Sequence, residues 1–282
     1  GDGDVAANAG VPFDYGRASD GLVQGMTMMF CLTGADSAAA RAHPEDAARV
    51  FQLMQQLRDQ GKFPPFNEGA ARHYLRSGAN QVPHNMVPAA GNPLDEEELT
   101  RLSMQAREHV YEIVDLWHRE MPGFGQASVT HMGHSLGVRE SRRIRGLKTL
   151  DGAMVVKAEK QPDAIGHGFW MIDIHDPKGS GYTTWTDQQK ELMPPVGDSY
   201  HIPLRMCLNA QIANLAVVGR CASSTHEAHA SVRLQSHCMV MGQGVGTCAA
   251  LALAADQTLA QVDIRTLQST LRQDGVYLEN VP

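Results

Sequence analysis

The stretch GQGVGTCAALALAA, residues 242–255, constrains the fold of this chain more than any other. Three glycines at alternate positions lead into a small, apolar, strongly helix-forming run. A glycine approach to a helix start combines close backbone access with unpaired N–H groups and a positive dipole end. The stretch therefore predicts a junction that holds an anion or carbonyl oxygen, worth about 0.3–1 kcal/mol from the dipole alone. A second reading needs no ligand: small residues let one helix sit tightly on a neighbour. Spacing leaves both open, because G-x-G-x-G is not the G-x-G-x-x-G of a dinucleotide fold, and nothing upstream supplies that fingerprint.

A second polar concentration lies just before it. In GRCASSTHEAHASVRLQSH, residues 219–237, a run that reads as a buried strand ends at Gly219 and Arg220, followed by His226, Glu227, His229, Arg233 and His237. Such a set is too polar for a core, and the carboxyl end of a strand is where open α/β sheets bind ligands. The order His-Glu-x-His misses the His-Glu-x-x-His of zinc proteases, since the fifth position is Ala230, so no metal site is expected. In THMGHSLGVRESRRIRG, residues 130–146, His131 and His134 fall on opposite faces of a strand. Arg139, Glu140, Arg142, Arg143 and Arg145 form a charge run that reads either as a solvated face or ion-pair network, or as an arginine clamp on a carboxylate or pyrophosphate. Asp173 and His175, two apart, read as a carboxylate-oriented imidazole or a structural pair.

Composition bounds the function. At 282 residues the chain can bury a large core, and no uninterrupted apolar run approaches the roughly 18–20 residues of a membrane span, so no membrane partner is expected. A formal charge of −7 opposes attraction to phosphate backbones, so no nucleic acid is expected either. Five cysteines at 31, 207, 221, 238 and 248 form no CxxC pair and point to a reducing, cytoplasmic setting.

Local patterns give the element order. Residues 24–33 read as a buried strand. HPEDAARVFQLMQQLRDQG reads as a helix with Pro44 in its first turn, a Val50, Phe51, Met54 and Leu57 stripe, and an end at Gly61. Residues 62–93 read as a long irregular connection that includes His84, and a second helix runs from Leu94 to Glu120. From residue 127 the runs ASVTHMGHSLGV, GAMVVKA and GFWMIDIHD read as strands, 176–199 as a surface excursion or lid, and YHIPLRMCL and NLAVVGR as two further strands. VDIRTLQSTLRQDG closes the chain as an amphipathic helix with Ile264, Leu267 and Leu271 inward. The expected class is α/β, with α and β elements in more than one layer.

The runs GDGDVAANAGVPFDYGR, GVRESRRIRG, DIHDP, HIPLRMCL and NLAVVGRCASSTHEAHASVRLQSHCMVMGQGVGTCAALA resemble, in order, the bacterial FAD-dependent oxidoreductases of the glutathione-reductase-like flavoprotein superfamily, relatives of fumarate-reductase flavoproteins. The resemblance implies FAD as cofactor and a discontinuous FAD-binding domain, of which this chain carries the C-terminal portion together with a mixed-sheet substrate domain, an inserted part of α+β character. It implies a tail of the N-terminal FAD-binding segment at 1–18, a substrate domain at 19–204 and the C-terminal FAD-binding part at 205–282. Gly1 and Asp2 then belong to the cofactor site, with Gly219 and Arg220 near the pyrophosphate and ribityl chain. Gly242, Gln243, Gly244, Val245, Gly246 and Thr247 meet the pyrimidine edge of the flavin. The nucleotide-binding Rossmann segment is expected as a separate or missing chain.

The function that follows is hydride transfer between FAD and a small organic substrate, with His226 or His229 as acid or base, Arg233 as charge stabiliser and His84 on the substrate side. Two rivals remain: a metal-dependent hydrolase using the His131/His134 and His226/His229 pairs, and a non-catalytic subunit lacking the ADP-binding half.

Overall fold

Side-chain caps mark where several helices of this chain begin. The structure, a computed structural model, describes residues 1–67, 69, 81–178 and 191–282. In chain order these form α1 (Asp4–Asn8), β1 (Phe13–Tyr15), β2 (Met26–Thr33), α2 (Ser37–Ala42), α3 (Pro44–Asp59), β3 (Gln81–Ala89), α4 (Glu96–Glu120), β4 (Ser128–Met132), β5 (Arg142–Ile144), α5 (Gly152–Val156), β6 (Ala164–Gly168), β7 (Tyr200–Pro203), α6 (His226–Val232), α7 (Gln235–Ala254) and α8 (Ile264–Gln273). Asp36, Asp95, Asp151, Thr225 and Asp263 each accept a backbone N–H from the first turn of the helix that follows.

The chain divides into two compact units, one of Gly1–Val23, Arg139–Ile174 and Thr184–Pro282, the other of Gln24–Val138 and His175–Thr183. Residues 139–174, placed in the substrate domain by the sequence reading, thus pack with the C-terminal helices. Half of the excursion at 176–199, residues 179–190, falls outside the described residues.

In the unit built on 24–138, an antiparallel sheet of order β3-β2-β4 is covered by α4. Leu102, Ala106, Val110, Ile113 and Trp117 recur at steps of three and four along α4 and bury one stripe of it, while Val50, Phe51 and Met54 do the same on α3. Trp117 donates Nε1–H to Met54 Sδ at 3.3 Å, tying the two helices together. Gly61, at φ 70°, ends the α3 segment as its sequence anticipates. The irregular connection expected at 62–93 contains a strand instead. Pro83 and Pro88 argue against a strand, but β3 lies at the edge of the sheet, where a missing N–H costs no ladder bond.

The other unit has two short antiparallel pairs, β1–β5 and β6–β7, packed with α6, α7 and α8. GAMVVKA is helix α5 rather than a strand: the Asp151 side chain accepts Met154 N–H at 2.9 Å and starts a turn inside a β-branched run. GFWMIDIHD contributes only Gly168 to a strand, and NLAVVGR forms a single bridge, Leu208 to Ala216, before a 3-10 turn at Gly219–Cys221. Its side chains are half-buried or exposed, so it is no doubly covered strand. On α8, Leu267 and Leu271 are buried, and Gln268 Nε2 donates to the carbonyls of Pro162 and Ala164, closing one edge of β6. All five cysteines are free thiols.

The largest correction concerns α7. It begins at Gln235, so Gly242, Gly244 and Gly246 lie inside a continuous helix and their N–H groups belong to its own ladder. No helix start stands at residue 247. Over its best window α7 has a mean hydropathy of 1.3, enough by length and composition alone for a membrane span, a property hidden from a search for uninterrupted apolar runs by its Gly, Ser, Thr and His. One face of it nevertheless packs on β6 and α8.

Candidate functional site

Glu140 is the centre of a buried polar network. Its side chain is fully enclosed and accepts from Arg143, whose guanidinium also donates to the carbonyls of Ser224 at 2.9 Å and Gly16 at 2.8 Å. His226, the first residue of α6, brings Nδ1 to 2.8 Å from the other carboxylate oxygen. Burial alone raises a carboxyl's pKa, but the His226 hydrogen bond, with the Arg143 guanidinium beside it, outweighs burial and holds Glu140 below its ordinary value. An ionised Glu140 only accepts, so Nδ1 of His226 carries a proton toward it. Nε2 of His226 is buried without a hydrogen-bond partner among the described residues. The arrangement is a carboxylate-oriented imidazole with its second ring nitrogen uncommitted, as in dyads used for proton transfer.

His229 is one turn further on and differs. It is fully buried, and its Nε2 donates to the Arg220 carbonyl at 3.0 Å. Burial first, with the Arg233 and Arg143 charges, pushes it down to about 3, against the opposing pull of Glu140 and the Arg220 carbonyl. It is a neutral imidazole that fixes the backbone of Arg220. Arg233, at the end of α6, donates to the Asp173 carbonyl at 3.2 Å and lies 3.7 Å from its carboxylate. His237 accepts from Phe169 N–H and donates to the Ser231 carbonyl, which accounts for both ring nitrogens.

The residues expected to hold a cofactor are only partly brought together. A Cβ added at Gly1 would stand 2.5 Å from the Arg220 guanidinium, so Gly1 packs directly on it. Asp2 accepts Asp4 N–H, a bond that leads the causes lowering its pKa, while its carbonyl takes Arg142. Gly219, at φ 75°, faces Cys238 of α7. Gly242 and Gly246 follow Cys238 at steps of four on the same helix face, and an added Cβ at either would meet nothing within 4 Å. Gly244 is different: its Cβ would strike Ile165 at 2.7 Å, so this glycine serves helix–strand packing. Gln243 is exposed, while Val245 and Thr247 are half-buried. The packing reading of the glycine run therefore holds for Gly244, while Gly242 and Gly246 face open space.

His84 lies in the core of the other unit, not on an irregular loop. It stacks on Phe30 at 4.9 Å and stands edge-on to Trp117 at 5.1 Å, and burial pushes it down to about 3. We remove it from the catalytic set. Among the described residues, the group with metal-ligand spacing is His43, Glu45 and Asp46 at the exposed start of α3, not the His131/His134 or His226/His229 pairs. His226 and His229 turn to different partners, Glu140 and the Arg220 carbonyl.

A family model described as FAD dependent oxidoreductase matches residues 1–271. The chain belongs to that family. This FAD-dependent oxidoreductase uses FAD as its cofactor. No curated protein and no solved structure matches the chain significantly. The residues present fit a flavin: Gly242 and Gly246 leave a stretch of α7 bare of side chains and open to a flat ring, and Cys238, one turn before Gly242, meets Gly219. The charge run was read as a solvated face, an ion-pair network or an arginine clamp, and Glu140 and Arg143 form a buried ion pair within it. The pairing of Glu140 with His226 is what sequence reasoning missed.

Among the described residues burial depresses six histidines, His84 and His229 furthest, and these set an acid limit. An ordinary histidine titrates near 6.5, whereas His229 and His84 do so near 3 in the folded chain. The unfolded chain thus takes up protons below pH 6.5 that the folded chain refuses, so stability is full above that pH and is lost as pH falls toward 3. Each group contributes a slope of up to about 1.4 kcal/mol per pH unit. Urea midpoints measured between pH 7.5 and 5, above the range of carboxylates, are expected to fall below pH 6.5, less steeply in His229→Gln. Flat midpoints would contradict the buried neutral state.

Proposed function

We propose that this FAD-dependent oxidoreductase passes a hydride between a small organic substrate and the flavin, and that the site lies along Gly219, Arg220 and the bare face of α7. FAD, when bound, supplies the hydride acceptor or donor. Gly242, Gln243 and Gly246 would hold the isoalloxazine end, where backbone without side chains allows contact at van der Waals distance. Gly219 and Arg220, with Gly1 and Asp2 against them, would hold the pyrophosphate and ribityl chain, Arg220 by charge-assisted hydrogen bonds. His229 positions Arg220 through its carbonyl. His226 holds or takes a proton at Nε2, Glu140 keeps its tautomer fixed, and Arg233, steadied by Asp173, stabilises developing negative charge. The ADP end we assign, on the resemblance, to a nucleotide-binding βαβ segment outside these residues.

What supports this reading most is the pair of interior helix glycines with open space before them. Glycine inside a helix costs roughly 1 kcal/mol relative to alanine, and neither Gly242 nor Gly246 has a packing reason for it. FAD titrated into the chain is expected to show saturable fluorescence quenching. A chain that leaves flavin fluorescence unchanged at all concentrations would remove the proposal. A metal-dependent hydrolysis is not favoured by any feature of the two histidine pairs, and a non-catalytic role does not account for the unspent His226 nitrogen.

A further inference from the structure

Within the unit built on 24–138 lies a cavity of about 190 Å³, lined by Pro65, Pro88, Ala89, Ala90, Leu102 and Ala106, with Gln105, His109 and Lys178 as its polar groups. At the ~30 Å³ of a liquid water, the space is worth roughly six waters, too small for a nucleotide or a flavin and suited to a compact ligand. Its floor is apolar. Among the described residues the lining carries one cation and no acidic side chain, and Lys178 is exposed and makes no ion pair. His109 adds a second polar element: its Nδ1 is buried without a hydrogen-bond partner among the described residues.

We infer that this cavity binds a small carboxylate with an apolar body, its carboxylate on Lys178 with His109 and Gln105 as hydrogen-bonding partners, and its hydrocarbon part over Pro88, Ala89, Leu102 and Ala106. Proline and alanine walls give a flat, rigid, apolar surface that costs little side-chain entropy to occupy. The polar groups on the lining recognise the acid and reject a neutral analogue of the same shape. The inference does not rest on the flavin reading, because every lining residue belongs to one unit and none of them to the proposed flavin site.

The test uses the full chain and benzoate as probe, followed by calorimetric titration, with 4-fluorobenzoate as a second reporter through its fluorine line width. Saturable binding is expected, weakened at least about tenfold in Lys178→Met, the loss of one charge-assisted hydrogen bond. Benzyl alcohol is expected to bind at least about tenfold more weakly than benzoate on the same grounds. Lys178 is exposed, so its replacement leaves the fold intact, and Ala90→Leu, which fills the cavity, is expected to abolish binding. Binding must persist unchanged in a Gly242→Val/Gly246→Val chain, which separates this cavity from the flavin face. Absence of saturation, equal binding by Lys178→Met, or equal binding of benzyl alcohol would each overturn the inference, as would loss of binding in the glycine double variant.

Discussion

Replacing His226 by alanine is expected to slow flavin reduction by substrate by roughly 10²–10⁴-fold, the usual worth of a positioned acid or base. The expectation follows from a single nitrogen. Glu140 holds Nδ1–H, and no described group occupies Nε2. His226→Gln keeps a side chain that can hydrogen-bond Glu140 but cannot take a proton, so it is expected to be as slow as alanine while retaining its fold. His229→Gln is the contrasting case. Its imidazole is neutral and committed to the Arg220 carbonyl, so its loss is expected to weaken cofactor binding more than it slows the chemical step. Rapid-mixing measurement of flavin reduction, with cofactor saturating, separates the two. Equal reduction rates in His226→Gln and the parent chain would take His226 out of the reaction.

The second large effect is on stability. Glu140→Ala is expected to destabilise the unit that contains it by about 3–5 kcal/mol, because it leaves the Arg143 guanidinium buried without its counter-charge and frees His226 Nδ1–H as well. At about 2–4 °C per kcal/mol for a unit of this size, the melting transition should fall by roughly 10 °C. An exposed pair makes the control. Arg49 and Glu120 lie 3.3 Å apart with side chains 58% and 33% exposed, and breaking that pair is expected to cost less than about 1 kcal/mol. A Glu140→Ala chain that melted with the parent would show that the network carries no stability.

Much of the fold can be read where a local pattern repeats. The α3 and α4 stripes, their acidic first turns and the glycine after α3 all fall where periodicity and capping put them, because each signal is confined to neighbouring residues. The misreadings share another cause. Whether 81–89 is a strand depends on a partner some 55 residues away and on its place at the sheet edge, neither of which Pro83 or Pro88 reveals. GAMVVKA looks like a strand by its β-branched residues, yet one capping bond from Asp151 decides it. NLAVVGR has the composition of a covered strand but finds a single bridge.

The site follows the same division. The concentration of polar residues at 219–237 is visible in the sequence, and so are its histidines. Which ring nitrogen stays free depends on Glu140, 86 residues earlier, inside a charge run that looks solvent-facing. The glycine run carries the sharper lesson. Its spacing announces close approach but cannot say to what, and the fold gives Gly244 to Ile165 and leaves Gly242 and Gly246 bare. The helix-start electrostatics read into that run do not apply, since the helix begins seven residues before Gly242. What survives is steric: a face without side chains.

That steric claim is tested most directly by titrating FAD, through its fluorescence, into the parent chain and into a Gly242→Val/Gly246→Val chain. Valine suits a helix interior no worse than glycine, and a Cβ at either position has open space within 4 Å, so the double variant is expected to keep the parent's melting temperature. Its flavin affinity is expected to fall at least about tenfold, equivalent to about 1.4 kcal/mol or more. Undiminished affinity in a folded double variant would contradict the account, for it would mean that the flavin never approaches this face of α7.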